Sequence, residues 1–414
     1  MHAVIVAPLG GTSVILRPGS PKAIKVGGAR FAEIQTAAAG DGTVPDWLAD
    51  AAATQWGIAL HDRPAAGNVL VRAPGPYRFS RATWEINLGC DYDCEMCYLG
   101  KKRFEGLDRE GKRRLLRIIR DAGVIWLQIT GGEPLIDPGF SDAYEHAHEL
   151  GMVIELLSNG SRLHNERVFG LLTERPPSKL TLSVYGASAE TYDAVTRRRG
   201  AFNRFTEGLH KALDAGLNID LSLILLRRNA HEQEVMRAWA NELGLPYREY
   251  ANISPTIHGT DETLPSQSPE HLTQRTPFRG CPAGHTPIRS GVPPFARWAA
   301  SRTSTWSRKE SKGWPDSAVS PIPSCFAPED APAARCPARA GCAGRWPRSS
   351  RRRRHHWRTI ANTEAGDVMT AVMVEISPTR TAVKEDAEAV VLIEDVDTLT
   401  DESLPGCGDD NPYN

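Results

Sequence analysis

A chain of 414 residues with a net charge of −1 is long enough for two or three domains and carries no charge excess that would draw it to nucleic acid. No apolar run approaches the roughly 18 residues that a membrane helix needs, and Met1-His2-Ala3-Val4 lacks the basic region and cleavage site of an export signal. Eight cysteines in such a chain point to a reducing compartment, the cytoplasm, where thiols serve metals.

Residues 1–80 read as a small α+β domain. Short strands are expected at 4–6, 13–17 and 22–26, separated by Gly and Pro turns. Helical spacing follows at 46–56, with Trp47, Leu48, Ala51 and Ala52 on one apolar face. The region resembles the winged-helix leader-recognition domains attached to peptide-modifying enzymes. That resemblance implies that a peptide adds as an extra strand to a sheet edge. A cap that only covers the next domain is the alternative.

From residue 81 to 252, strand and helix patterns alternate. Strands are expected at 83–88, 124–130, 152–157, 179–184, 219–226 and 247–250. Helices are expected at 107–122, 141–150, 165–172, 189–196, 202–215 and 231–243. Apolar strands between helices imply a parallel sheet covered on both faces. Six such units make an α/β fold, a partial (β/α)6 barrel, and sites in barrels lie at the carboxyl ends of the strands.

The first expected strand runs into Cys90-Asp91-Tyr92-Asp93-Cys94-Glu95-Met96-Cys97. Three thiols at C-x3-C-x2-C spacing suit three irons of a [4Fe–4S] cluster and leave the fourth iron open, whereas such clusters usually take four thiolates. A zinc site wants four ligands, and a disulfide would strand one thiol. The spacing resembles the cluster loop of the radical S-adenosylmethionine (SAM) enzymes, where the position before the third cysteine is often aromatic; here it is Met96.

After the second expected strand comes Thr130-Gly131-Gly132-Glu133-Pro134. Its glycines allow close backbone approach to a ligand, and Glu133 adds an acceptor for an ammonium group. This resembles the family's GGE motif, which implies that Gly131, Gly132 and Glu133 hold the amino group of SAM. Ser158 and Asn159 end the third strand, and Ser183 ends the fourth; all three are candidate SAM contacts. Tyr185 stands where related enzymes carry an aspartate, so no aspartate role carries over. Arg197-Arg198-Arg199-Gly200-Ala201-Phe202 resembles the family's Arg-x-Gly-x-Phe helix start, which makes Arg197 a candidate partner for the SAM carboxylate. A solvated helix end is the alternative. Leu225 is either an adenine contact or core. The resemblance implies reductive cleavage of SAM to a 5′-deoxyadenosyl radical that abstracts hydrogen from a substrate. It also implies an electron donor such as flavodoxin or ferredoxin.

Residues 253–286 form a connector ending in Cys281-Pro282-Ala283-Gly284-His285-Thr286. This resembles the opening of a SPASM domain, the cysteine-rich extension of peptide-modifying radical SAM enzymes, and makes Cys281 a candidate auxiliary-cluster ligand. The further cysteine pairs of such a domain do not follow. Residues 287–368 carry 15 Lys and Arg against 6 Asp and Glu without sustained period, whereas 369–414 carry 2 against 11. In a shifted reading frame, the junctions Asp330/Ala331, Ala333/Ala334, Arg339/Ala340 and Cys342/Ala343 can encode C-x2-C-x5-C-x2-C. A stop can then fall at Gly366/Asp367, just before Met369. The expectation is a frameshift after Thr286 and a largely irregular tail over 287–368. The acidic 369–414 segment, ending in a short stretch with Gly406, Cys407 and Pro412, resembles a ribosomal precursor peptide and is a candidate substrate; a disordered tail is the alternative. A catalytically impaired peptide-binding scaffold and an enzyme of small metabolites are the competing functions.

Overall fold

Short apolar runs separated by Gly and Pro turns build the first sheet. A computed structural model describes residues 2–9, 11–74, 79–100, 102–269, 356–360, 372–378, 386–396 and 399. All belong to one compact unit, residues 1–296 with 355–414; the second unit, 297–354, lies outside the described residues. Strands β1 (Val4–Leu9), β2 (Thr12–Leu16) and β3 (Ala23–Val26) form an antiparallel meander. Helices α1 (Gly28–Ala39) and α2 (Asp46–Trp56) and a helical turn α3 (Ala65–Asn68) follow, and β4 (Val69–Val71) returns parallel to β1.

The meander is buried on both faces, which explains its unbroken apolar runs. Val4, Val6, Ile15 and Ile24 pack on Ile34 and Leu48 of the helices. Ala7, Leu9, Val14 and Leu16 face the other way, onto Ile125, Trp126 and Val153 of the next domain. Helix α1 has no counterpart among the sequence expectations. Its start at Gly27 has no side-chain cap, and Ile34 is its one buried residue, so it carries almost no periodic apolar signal.

The second sheet contains the six parallel strands of the expected barrel. They are β5 (Phe79–Glu85), β6 (Trp126–Thr130), β7 (Val153–Ser158), β8 (Lys179–Val184), β9 (Ile219–Ile224) and β10 (Tyr247–Tyr250), paired in chain order. Between them run α4 (Arg109–Asp121), α5 (Phe140–Glu149), α6 (Glu166–Glu174), the pair α7 (Ala189–Thr196) and α8 (Ala201–Asp214), and α9 (Gln233–Glu242). Leu180, Leu182 and Val184 of β8 join the core beneath the helices, while Lys179, Thr181 and Ser183 line the lumen. The alternation is the period-2 consequence of a pleated strand. The lumen is polar and ionic near its base: Arg81 donates to both oxygens of Glu155 at 2.7 and 2.9 Å.

Boundaries shift where local chemistry intervenes. Helix α4 starts at Arg109 rather than 107 because Asp108 caps it, accepting from the Gly111 amide at 2.7 Å. A 3-10 turn, Ala230–Glu232, precedes α9.

The tail contributes three described strands. β11 (His356–Ile360) pairs with β12 (Val372–Pro378), and β12 lies antiparallel along β5, the first barrel strand. Within 287–368, expected to be irregular, the described part is thus a strand; the remainder lies outside the described residues. β13 (Val390–Ile393) adds antiparallel to β3 and becomes the edge of the first sheet.

Candidate functional site: the carboxyl rim of the barrel

The end of β5 and the loop after β6 are laced together by backbone bonds. The Gly132 amide donates to Asn87 O at 2.9 Å, and the Glu133 amide donates to Gly89 O at 2.8 Å. This approach demands glycine. A Cβ on Gly132 would sit 2.0 Å from Gly89 O, and one on Gly131, whose φ is +139°, would sit 2.3 Å from Asn87 O. The two motifs therefore share one rim, with Cys90 starting directly after Gly89.

Glu133 is fully buried. Its carboxylate accepts from the Leu135 amide at 3.0 Å, the Ser158 hydroxyl at 2.8 Å and the Asn159 amide at 2.7 Å. Burial, with the nearby Asp91 charge, pushes its pKa up to about 8, while the three donors hold it down. Asn159 in turn donates from Nδ2 to Cys90 Sγ at 3.6 Å and to Asp91 Oδ1 at 3.2 Å. Three sequence-chosen residues, Glu133, Ser158 and Asn159, thus form one network ending on the first thiol.

The thiols of Cys90, Cys94 and Cys97 are free. Burial raises all three pKa values, that of Cys90 to about 12, with Glu133 adding to it. The Tyr92 amide donates to Cys90 Sγ at 3.4 Å. The loop itself is pinned on both sides: the Asp93 amide donates to Thr196 O at 3.0 Å, and Lys102 Nζ donates to Asp93 at 2.9 Å. The Lys102 bond is the largest cause of the lowered Asp93 pKa.

Among the described residues, no three His, Cys, Asp or Glu side chains converge on a single metal position. In a three-thiolate [4Fe–4S] cluster each thiolate binds a different iron, so the thiols need not share one metal position. Three partly buried free thiols, one of them already receiving N–H donors, fit a three-thiolate [4Fe–4S] cluster. For SAM, the fit rests on the lumen lined by Gly132, Ser158 and Asn159 and on Asn87. Its Oδ1 is buried without a partner, while its Nδ2 donates to Glu133 O at 3.2 Å. Asn87 was absent from the sequence-based candidates; an asparagine at a strand end carries no signal by itself.

The remaining candidates divide. Ser183 lines the lumen with Gly132, Ser158 and Asn159, alongside Gln128 and Ser222, which sequence reasoning also missed. Arg197 is not among the residues lining the lumen. It caps α7 in the left-handed region at φ 51° and pairs with Asp93 at 3.7 Å. It lines a separate cleft of ≈ 410 Å³ with Glu95, Arg227 and Arg228. Leu225 is completely buried in the core. Cys281 lies outside the described residues.

Comparison with known proteins agrees with this geometry. The radical SAM superfamily matches residues 84–239. The antilisterial bacteriocin subtilosin biosynthesis protein AlbA of Bacillus subtilis is 22% identical over 191 residues, 46% of this chain and 43% of AlbA. The AdoMet-dependent heme synthase of Methanosarcina barkeri is 26% identical over 188 residues, 44% of this chain and 54% of the synthase. The mycofactocin maturase MftC of Mycobacterium tuberculosis is 28% identical over 184 residues, 43% of this chain and 46% of MftC. The chain spans about half the length of these curated relatives. Among the described residues, no helix is long and apolar enough to cross a membrane. The barrel over residues 84–239 is therefore a radical SAM domain.

Proposed function

We propose that this chain is a radical SAM enzyme acting on a peptide. The observation that carries the chemistry is the shared rim, where the three-cysteine loop lies against the Gly131-Gly132-Glu133 backbone over a polar lumen. Cys90, Cys94 and Cys97 hold the [4Fe–4S] cluster. When bound, the cluster and SAM would supply reductive cleavage of SAM and hydrogen-atom abstraction from the substrate, with the electron coming from a donor such as flavodoxin or ferredoxin. The Gly131-Gly132 backbone admits the amino-acid end of SAM, and Asn87 Oδ1 offers its free acceptor to that end. Glu133 sets the positions of Ser158 and Asn159, and Asn159 steadies Cys90 through its amide. The lumen between β6 and β9 shields the reaction from water.

Peptide as substrate is favoured by the first sheet. Its outer edge at β3 takes an added strand, which is how a domain reads an extended peptide through its backbone. AlbA takes part in making a bacteriocin and MftC is a maturase, which agrees; the heme synthase shows that the barrel alone does not decide.

The test is anaerobic reconstitution of the full chain with iron, sulfide, a reductant and SAM, together with a deuterated synthetic peptide of residues 369–414. Formation of 5′-deoxyadenosine carrying deuterium from the peptide is the expected outcome. Unlabelled 5′-deoxyadenosine would count against the free peptide as the hydrogen donor. Failure to cleave SAM would favour a catalytically impaired scaffold.

A further inference from the structure

The edge of β3 is occupied by the chain's own tail, and the contacts there form a readable code. β13 pairs with β3 in the register Val390 with Val26 through Ile393 with Ala23. Beyond the strand, the Gly27 amide donates to Ala389 O at 3.0 Å and the Ala29 amide to Ala387 O at 3.1 Å. At the other end, the buried Gln55 side chain donates to Ile393 O at 2.6 Å while holding Ala23 O at 3.0 Å, and so clamps both strands.

Side chains flank the ladder. Lys22 Nζ lies 2.7 Å from Glu394, and Arg30 Nε lies 3.1 Å from Glu388. Val396 is buried among Leu9, Leu16, Trp126 and Val153, and its amide donates to Pro21 O at 2.7 Å. The strand between these anchors is poorly covered: Val390, Val391 and Leu392 are 38%, 46% and 39% exposed. The attachment therefore rests on backbone bonds, the Gln55 clamp, two individually weak ion pairs, the buried Val396 and the partly buried Ile393 and Leu399. Such a strand holds by proximity within the chain and can be exchanged.

We propose that residues 386–396 act as a competitor in cis on the β3 edge, so that a free peptide of the same pattern gains that edge only by displacing them. The pattern is a glutamate for Arg30, a four-residue apolar strand, a glutamate for Lys22 and, two residues on, an aliphatic side chain for the pocket beside Trp126. This inference rests on the peptide reading above and specifies the partner and its regulation. A tethered ligand faces its site at an effective concentration on the order of millimolar, which a free peptide must overcome.

Gly27 supplies a selective lever. Its φ of −75° and ψ of 172° suit any residue, but a Cβ there would lie 2.3 Å from the carbonyl oxygens of Asp386 and Ala387. Those tail atoms are its nearest neighbours, so Gly27→Ala opposes strand addition without straining the domain.

The experiment measures anisotropy of a fluorescently labelled peptide of residues 386–399 on the full chain. Val396→Asp in the chain releases the cis strand, and the labelled peptide should then bind at least 10-fold more tightly than to the unmodified chain. Adding Gly27→Ala should reverse that gain. Lys22→Glu in the Val396→Asp chain should weaken binding several-fold, and a peptide carrying Glu394→Lys should restore it, which shows that the variant is folded. Equal binding to the unmodified and Val396→Asp chains would overturn cis occupancy. Indifference to Gly27→Ala would overturn the site. Because no cluster or SAM is involved, these outcomes stand apart from success or failure of SAM cleavage.

Discussion

The Ser158 hydroxyl donates to Glu133 Oε1 at 2.8 Å, joining the ends of β6 and β7 across 25 chain positions. With the Asn159 and Leu135 amides, it gives a wholly buried carboxylate three donors. Glu133→Ala should leave these donors unpaired and lower stability by about 1–3 kcal/mol. It should also weaken SAM binding while iron stays bound. Equilibrium dialysis with SAM and an iron assay on the same sample check both halves.

The same group makes stability depend on pH. Its pKa in the folded protein is raised from 4.5 to about 8, so the fold holds the proton more strongly than the unfolded chain does. This contribution is fully present below about pH 4.5 and is lost as pH rises toward 8. Cluster-free protein should therefore lose stability over that window. The Glu133→Gln variant should show a shallower slope in denaturant titrations at matched pH values. An identical slope would mean that Glu133 is ionised throughout.

Replacing Cys90, Cys94 or Cys97 singly by Ala should abolish cluster iron and 5′-deoxyadenosine formation, since three thiolates are the minimum set here. Full activity of Cys94→Ala would refute the assignment. The unmodified chain should hold about four irons, those of one cluster. Cys281→Ala should leave that number unchanged. Restoring the shifted frame after Thr286 should raise it, which a colorimetric iron assay reads directly.

Gly132→Ala should act on the site through backbone. Its Cβ would meet Gly89 O, immediately before Cys90, and neither strand end can yield without moving the cluster loop. A stability loss of about 1–3 kcal/mol is expected from such overpacking, with reduced iron incorporation. Mössbauer or absorbance spectra of the reconstituted variant would reveal the latter.

Behind the glycine loop, Lys112 of α4 pairs with Asp137, and both side chains are buried. Asp137 also accepts from the Gly139 amide at 2.8 Å, which ties down the turn after Glu133. Lys112→Ala would leave a buried charge unpaired and should cost about 3–5 kcal/mol, whereas replacing both partners by apolar residues should cost less. A double-mutant cycle in urea measures the difference.

Much of this molecule is legible locally. The alternation of apolar strands and amphipathic helices gives the barrel because side-chain period depends on neighbours two to four residues away. The cysteine spacing and the Gly-Gly-Glu run likewise report themselves, since each needs a few adjacent residues. Helix α1 escaped notice because it buries little and lacks a cap.

Other features depend on pairs distant in the chain. Glu133 reads as a ligand group in sequence, yet only the adjacency of β6 and β7 supplies its three protein donors. Arg197 reads as a carboxylate partner, yet folding places it beside Asp93 and outside the lumen. The acidic tail reads as a peptide in its own right, but its attachment to β3 follows from an unfilled sheet edge and a pocket beside Trp126. Local sequence specifies which groups exist. Sheet order, close backbone approach and burial, which arise only when remote segments meet, decide which groups face one another and which remain free to bind.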